Sequence, residues 1–110
     1  MRLNSNLPQL NQVNKTATFL KWFNKLKDPM AIAFIQNRID RLKLGNLGDH
    51  KSVGAGIYEL RIDTGKGYRV YYAKQGERIY LLTNGGDKTT QQEDIVKAKA
   101  IWNAIKQGAQ

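Results

Sequence analysis

The chain contains no cysteine. Disulfides, thiolate metal sites and cysteine nucleophiles are therefore excluded. It has a single histidine, His50, which is too few for a histidine-rich metal site or a histidine pair. No window approaches the run of roughly 18 apolar residues that a membrane helix needs. The first fifteen residues, MRLNSNLPQLNQVNK, are rich in Asn and lack the apolar stretch of a signal peptide. These absences predict a cytoplasmic protein with no membrane association. Acidic residues are scarce too: 18 Lys and Arg stand against 9 Asp and Glu, a net charge of +9. A pI near 9.9 points to an anionic partner: nucleic acid, an acidic protein or a membrane surface. The hydrophobic fraction of 41% and charged fraction of 25% are ordinary for a globular chain and argue against disorder. With 110 residues the chain reads as a single domain over 1–110, able to bury roughly two-thirds of its unfolded surface around one core.

Periodicity supplies the order of elements. Pro8 forbids a helix through the N-terminal segment, and a short strand fits at about 8–14. Thr16 or Thr18 can cap a helix whose apolar stripe is Phe19, Trp22, Phe23 and Leu26. Asp28-Pro29 ends that helix and opens the next, with Asp28 as cap and Pro29 at the first helical position. Ile32, Ile35, Ile39 and Leu42 form its apolar stripe, and Asn37, Arg38, Asp40, Arg41 and Lys43 its polar face. Glycines punctuate 44–56, which predicts a loop with Asp49-His50-Lys51-Ser52 at its tip. Beyond it the period becomes two. Tyr58, Leu60 and Ile62 alternate with Glu59, Arg61 and Asp63; Tyr68, Val70 and Tyr72 alternate with Arg69, Tyr71 and Ala73. Turns fall at 65–67 and 75–77. A third strand runs from Ile79 to Thr83 and ends at Gly85-Gly86. A last helix spans about 90–107, with Glu93 and Asp94 in its first turn and Lys106 in its last, matching the macrodipole. The three consecutive strands form an antiparallel meander with one face covered by helices and the other left open.

No Ser-His-Asp triad, catalytic carboxylate pair or metal spacing is present. A three-residue turn at Thr64-Gly65-Lys66 would place Arg61 opposite Arg69 on one face, whereas a four-residue turn without a bulge would put them on opposite faces. The two glycines suit the three-residue or a bulged turn, and two guanidiniums side by side call for an anion between them. The alternative is that each arginine is a solvated sheet residue paired with Glu59 or Asp63. Gly85-Gly86 lets backbone approach a ligand closely, with Lys88 just beyond. Tyr71 shares the face of Arg69 and has a ring on which a base can stack. Gly65-Lys66-Gly67 is no phosphate-binding loop, because it joins two strands and no helix follows. Chemistry built on Arg, Lys and Tyr suits phosphoryl transfer, where orientation and charge stabilisation dominate. In RNA the 2′-hydroxyl is an internal nucleophile, so neither metal nor cofactor is required.

The runs Gly56–Ile62, Gly67–Tyr72 and Gly85–Gln91 with Asp94-Ile95, preceded by Trp22–Asp28 and Leu44–Asp49, resemble the RelE/ParE superfamily of toxins from type II toxin–antitoxin modules. The pattern is most similar to the HigB-like addiction module killer branch. The resemblance covers about residues 16–105; the Asn-rich segment 1–15 is less typical. It implies an α+β, microbial-ribonuclease-like RelE fold: an antiparallel sheet of about four strands with two N-terminal helices and one C-terminal helix. It further implies a ribosome-dependent mRNA endoribonuclease in which the 2′-hydroxyl attacks the phosphate. By the same resemblance Arg61 activates that hydroxyl or binds the phosphate, Arg69 stabilises the phosphorane, and Lys88 neutralises the departing 5′-oxygen. Glu59 stands where RelE-type enzymes often carry a lysine, and Asp94 where they often carry a tyrosine. The base and the base-stacking group then fall among Tyr71, His50 and Lys51, with Lys66 as a further RNA contact. The implied partners are the ribosome and mRNA, a cognate HigA-like helix-turn-helix antitoxin, and operator DNA bound through that antitoxin. The ParE branch implies a different activity, non-enzymatic poisoning of DNA gyrase, and a plain RNA-binding module is a third possibility.

Overall fold

The computed structural model describes residues 10–108. Its order is β1 (Gln12–Lys15), α1 (Ala17–Asn24), α2 (Pro29–Lys43), β2 (His50–Gly54), β3 (Ile57–Ile62), β4 (Tyr68–Gly76), β5 (Ile79–Asp87), a 3₁₀ turn at Lys88–Thr90, and α3 (Gln91–Lys106). The strands form one sheet in the order β1-β5-β4-β3-β2, antiparallel except for the parallel pair β1–β5. The α+β architecture with two N-terminal helices and one C-terminal helix is as expected from the sequence.

Three details differ from expectation. The sheet has five strands rather than about four, because the 49–52 tip lies at the head of a strand, β2. That strand is polar and almost wholly exposed at the sheet edge, so no apolar alternation marks it. β4 runs on through Gly76, and β5 continues through Gly85-Gly86 to Asp87. The face expected to stay open is largely roofed by α3. The first strand is β1, which overlaps the expected 8–14 region and ends one residue beyond it, at Lys15; residues 8 and 9 of that region lie outside the described residues.

Local chemistry explains the helix boundaries. Thr16 caps α1 by accepting from the Phe19 amide, while its own hydroxyl donates to the Thr83 carbonyl and so ties the cap to β5. Asp28 Oδ1 accepts from the amides of Met30 and Ala31, and Pro29 opens α2. The two helices cover one face of the sheet. Phe19, Ile35, Ile39 and Leu42 are fully buried against Leu60, Val70, Tyr72 and Leu82. Each such aliphatic side chain contributes about 1.5–3 kcal/mol. α3 covers the other face with a smaller cluster, Ala98, Ile95 and Trp102 against Ile57, Tyr71 and Ala73.

The glycine pair of β5 seats a helix on each side. A Cβ on Gly85 would fall 2.3 Å from the Trp22 ring of α1, and one on Gly86 would fall 1.8 Å from Asp94 Oδ2 of α3. Gly86→Ala therefore has to displace the Asp94 carboxylate and its hydrogen bond from the Thr90 hydroxyl. A loss of about 1–3 kcal/mol is expected in urea unfolding, as for other overpacked sites. Unchanged stability would contradict the close seating of Asp94 on Gly86.

Candidate functional site

Strand register builds the site. On β3 and β4, Arg61 stands opposite Arg69, and Arg69 stands opposite Gly86 of β5. Directly paired residues share a face. Both arginines therefore share a face, as a three-residue or bulged turn implies, and that face is the one α3 covers. One row along, Lys51, Glu59, Tyr71 and Asn84 are aligned across four strands. In the other direction, the aliphatic stem of Lys88 lies against Gly67, two residues before Arg69, where a Cβ would meet Lys88 Cε at 2.5 Å. The fold thus brings Arg61, Arg69 and Lys88 to one end of one face. Lys88 is exposed, Arg61 partly so, and Arg69 is only 6% exposed.

An anion already lies between the two guanidiniums. Glu59 is fully buried, with Oε1 3.3 Å from Arg61 Nε and 3.9 Å from Arg69 Nε. Its Oε2 accepts from Gln91 Nε2 of α3 at 2.8 Å. Both carboxylate oxygens are therefore occupied, and the first turn of α3 is fastened to the arginine pair. Asp63 lies 3.6 Å from Arg69 Nη1 but is well exposed, so it covers Arg69 with a carboxylate that is free to swing away. Arg69 Nη1 also donates to the Tyr68 carbonyl, while its Nε is buried without a hydrogen-bond acceptor.

Arg38 was read as part of a solvated helix face. Instead its guanidinium is partly buried and clamps the site from beneath. Nη1 donates to the Arg61 carbonyl, and Nη2 donates to the carbonyls of Leu47 at 2.9 Å and Asp49 at 2.8 Å. Burial, then the neighbouring Arg41 charge, lowers its pKa from the ordinary arginine value. The Arg61 amide donates to the Asp49 carbonyl, so the Arg61 backbone is held on both sides. Neither Glu59 nor Arg38 was singled out as a site residue. The departure of Glu59 from the RelE pattern was the available signal; Arg38 gave none, because its partners are carbonyls distant in sequence.

The RNA-contact candidates separate. Lys51 lies on the arginine face, opposite Glu59. His50 pairs with Leu60, which faces the α1–α2 side, and its Nδ1 lies 2.9 Å from the Gly48 carbonyl oxygen; the fold takes it away from the arginines. Lys66 is exposed in the β3–β4 turn. Tyr71 cannot stack on a base: it is 0% exposed and packed beneath α3. Burial, then the Glu59 charge, pushes its phenol far above the usual range, so it stays protonated; its hydroxyl lies near Glu59 without completing a hydrogen bond. The Tyr71 expectation failed because the α3 roof is a long-range feature that strand alternation does not reveal. Asp87, just before Lys88, is held below the usual carboxylate range chiefly by hydrogen bonding from the Thr89 side chain.

Comparison with known proteins gives a family and a fold. The family described as phage-derived protein Gp49-like matches residues 21–106. An uncharacterized protein of Haemophilus influenzae is 52% identical over 90 residues, spanning 82% of this chain and 91% of that protein. Among solved structures, a chain of the Mycobacterium tuberculosis RelBE2 toxin–antitoxin complex superposes with a TM-score of 0.59 at 21% identity, covering 72% of this chain and 99% of its own. The isolated Escherichia coli RelE toxin gives 0.55 at 18% identity, covering 79% and 96%. A chain of the intact E. coli RelBE complex gives 0.55 at 18%, covering 70% and 95%. At these identities the likeness establishes the RelE fold, as the sequence resemblance implied.

Proposed function

The chain belongs to the phage-derived Gp49-like family and has the RelE fold, and on that footing we propose that it is the toxin of a toxin–antitoxin module and cuts ribosome-bound mRNA. The observation that carries this reading is the row Arg61–Arg69, braced by the buried Glu59, with Lys88 at the same end of the same face. The structural neighbours are a RelE toxin and two RelBE-type toxin–antitoxin complexes, and that likeness supports a cognate antitoxin here. A HigA-like helix-turn-helix partner, with operator DNA bound through it, suits the chain's +9 charge, since charge complementarity speeds capture. The cytoplasm is where such a module and the ribosome meet.

In the proposed reaction the RNA 2′-hydroxyl attacks the adjacent phosphorus, its proton passing to solvent water, and the P–O5′ bond breaks as the Lys88 ammonium gives a proton to the 5′-oxygen. A 2′,3′-cyclic phosphate and a 5′-hydroxyl result. The phosphate displaces the exposed Asp63 carboxylate and meets Arg69 and Arg61, whose positive charge stabilises the phosphorane. Lys88 neutralises the departing 5′-oxygen. Glu59 is too buried to meet the ribose and acts by positioning the two arginines. Of Tyr71, His50 and Lys51, only Lys51 is exposed on the arginine face, and it takes the role of the group beside the attacking hydroxyl.

Lys88 separates chemistry from docking. Lys88→Ala should lower the single-turnover cleavage rate much more than it weakens ribosome binding, because leaving-group neutralisation is felt only as the bond breaks. Lys88→Arg should rescue part of the rate. Weakened binding with an unchanged rate would make Lys88 a docking residue. Inhibition of gyrase supercoiling with mRNA left intact would replace the ribonuclease reading with the ParE-like one.

A further inference from the structure

A second basic feature lies across β5 from the arginine row. β1 pairs with β5 only over Ile79–Leu82, so among the described residues the end of β5 from Asn84 to Asp87 has no strand neighbour on that side. A cleft of about 590 Å³ fills the gap between α1 and α3, with Lys21 and Lys25 on one wall and Lys97 on the other. A second cleft of about 510 Å³ continues toward the β3–β4 turn and ends at Lys27 and Lys66. The two share Trp22, Lys25 and Asp87 as a common wall. The part-exposed Trp22 indole thus stands at the midpoint of one groove, set against Gly85.

The charges of the groove are unequally committed. Among the described residues, no ion pair within 4.0 Å involves Lys21, Lys25, Lys27, Lys66 or Lys97. The acidic groups along the groove are engaged in capping and local hydrogen bonds. Asp28 holds the first turn of α2, Asp87 the turn that follows β5, and Asp94 the Thr90 hydroxyl. Lys21, Lys25 and Lys97 beside the indole, with Lys27 and Lys66 farther along, outnumber the three carboxylates of the groove and make a site for a chain of phosphates carrying planar bases. Lysines follow such a backbone, and an aromatic ring stacks on bases of any sequence. An acidic peptide would satisfy the lysines but offers no planar partner for Trp22.

We infer that this groove binds single-stranded RNA away from the scissile phosphate, with a base against Trp22 and phosphates along Lys21, Lys25 and Lys97. The groove meets the arginine face at one point. Asp87 lines it, and the next residue, Lys88, lies over Gly67, in the turn that leads into the strand carrying Arg69. One strand of RNA passing the end of β5 therefore occupies both. The inference rests on the RNA-cleavage reading for the identity of the ligand, but its test does not depend on cleavage.

The test uses the full chain and 2′-O-methyl oligouridylates, which cannot be cut, as a trimer and as an oligomer of about twelve nucleotides, a length within the range that single-strand grooves engage. The wild-type protein should bind the longer oligomer about tenfold or more tightly than the trimer at moderate salt, through the added phosphate contacts. In the triple variant Lys21→Gln, Lys25→Gln, Lys97→Gln, that gain should vanish, and the salt-dependence slope should fall by about 2, at roughly 0.7 for each lost contact. These side chains are exposed, so circular dichroism and thermal unfolding should match wild type. Trp22→Phe should keep the slope but lose part of the gain. A wild-type protein with no gain from length, a triple variant that keeps the gain, or polyglutamate displacing the longer RNA at equal charge would each overturn the inference. Intact length dependence in a protein that never cleaves mRNA would leave the groove standing and remove the ribonuclease reading instead.

Discussion

Arg69→Ala is expected to slow cleavage of ribosome-bound mRNA by roughly 10²–10³, the usual cost of deleting one donor that stabilises transition-state charge. It is also expected to unfold more easily than wild type. An exposed strand arginine would be removed at under about 0.5 kcal/mol. Arg69 is instead 6% exposed and shares the buried Glu59 carboxylate with Arg61. Removing one partner of a buried pair costs about 3 kcal/mol, because the remaining charge is left poorly met. Arg61 still reaches Glu59, so the loss should fall toward the lower end. Arg69→Lys retains the charge without the planar fork, and should recover stability better than rate. Single-turnover cleavage and urea unfolding, measured on the same preparations, separate the two effects. An Arg69→Ala protein that is both as stable and as active as wild type would remove Arg69 from the site.

Glu59→Gln tests the other half of the pair. The amide keeps the shape but not the charge between the two guanidiniums, so Arg61 and Arg69 repel across the β3–β4 pairing. A stability loss of about 3 kcal/mol is expected. An added phosphate ion should then restore more thermal stability to the variant than it gives to wild type, since an anion that binds only the folded state shifts the midpoint by mass action. Cleavage should fall by about 10², the cost of misplacing reacting groups by an ångström or so. Wild-type stability in Glu59→Gln, with the same response to phosphate, would show that Glu59 does not brace the arginines.

The local half of this structure was legible in the sequence. Asp28-Pro29, Thr16 and the two apolar stripes set the helices, and the odd-length turn around Gly65 set Arg61 opposite Arg69. What escaped was long-range. β2 is polar because it is an exposed edge strand, and alternation fails as a signal there. α3 lies over Glu59, Tyr71 and Gly86, and no spacing within β3 or β4 announces a helix that arrives some thirty residues later, so Tyr71 read as an open stacking ring when it is a roofed core residue. Glu59 and Asp63 were weighed as partners of solvated arginines. They are indeed the partners, but burial turns one of those pairs from a surface feature into the brace of the site.

The central claim is transesterification of RNA by this face. The most direct measurement is the chemistry of the ends produced when the purified protein is added to ribosomes programmed with a defined mRNA. The account predicts a 5′-hydroxyl on the downstream fragment and a 2′,3′-cyclic phosphate on the upstream one, both absent when Arg69→Ala replaces the wild-type protein. Intact mRNA, or fragments ending in a 5′-phosphate and a 3′-hydroxyl, would contradict it.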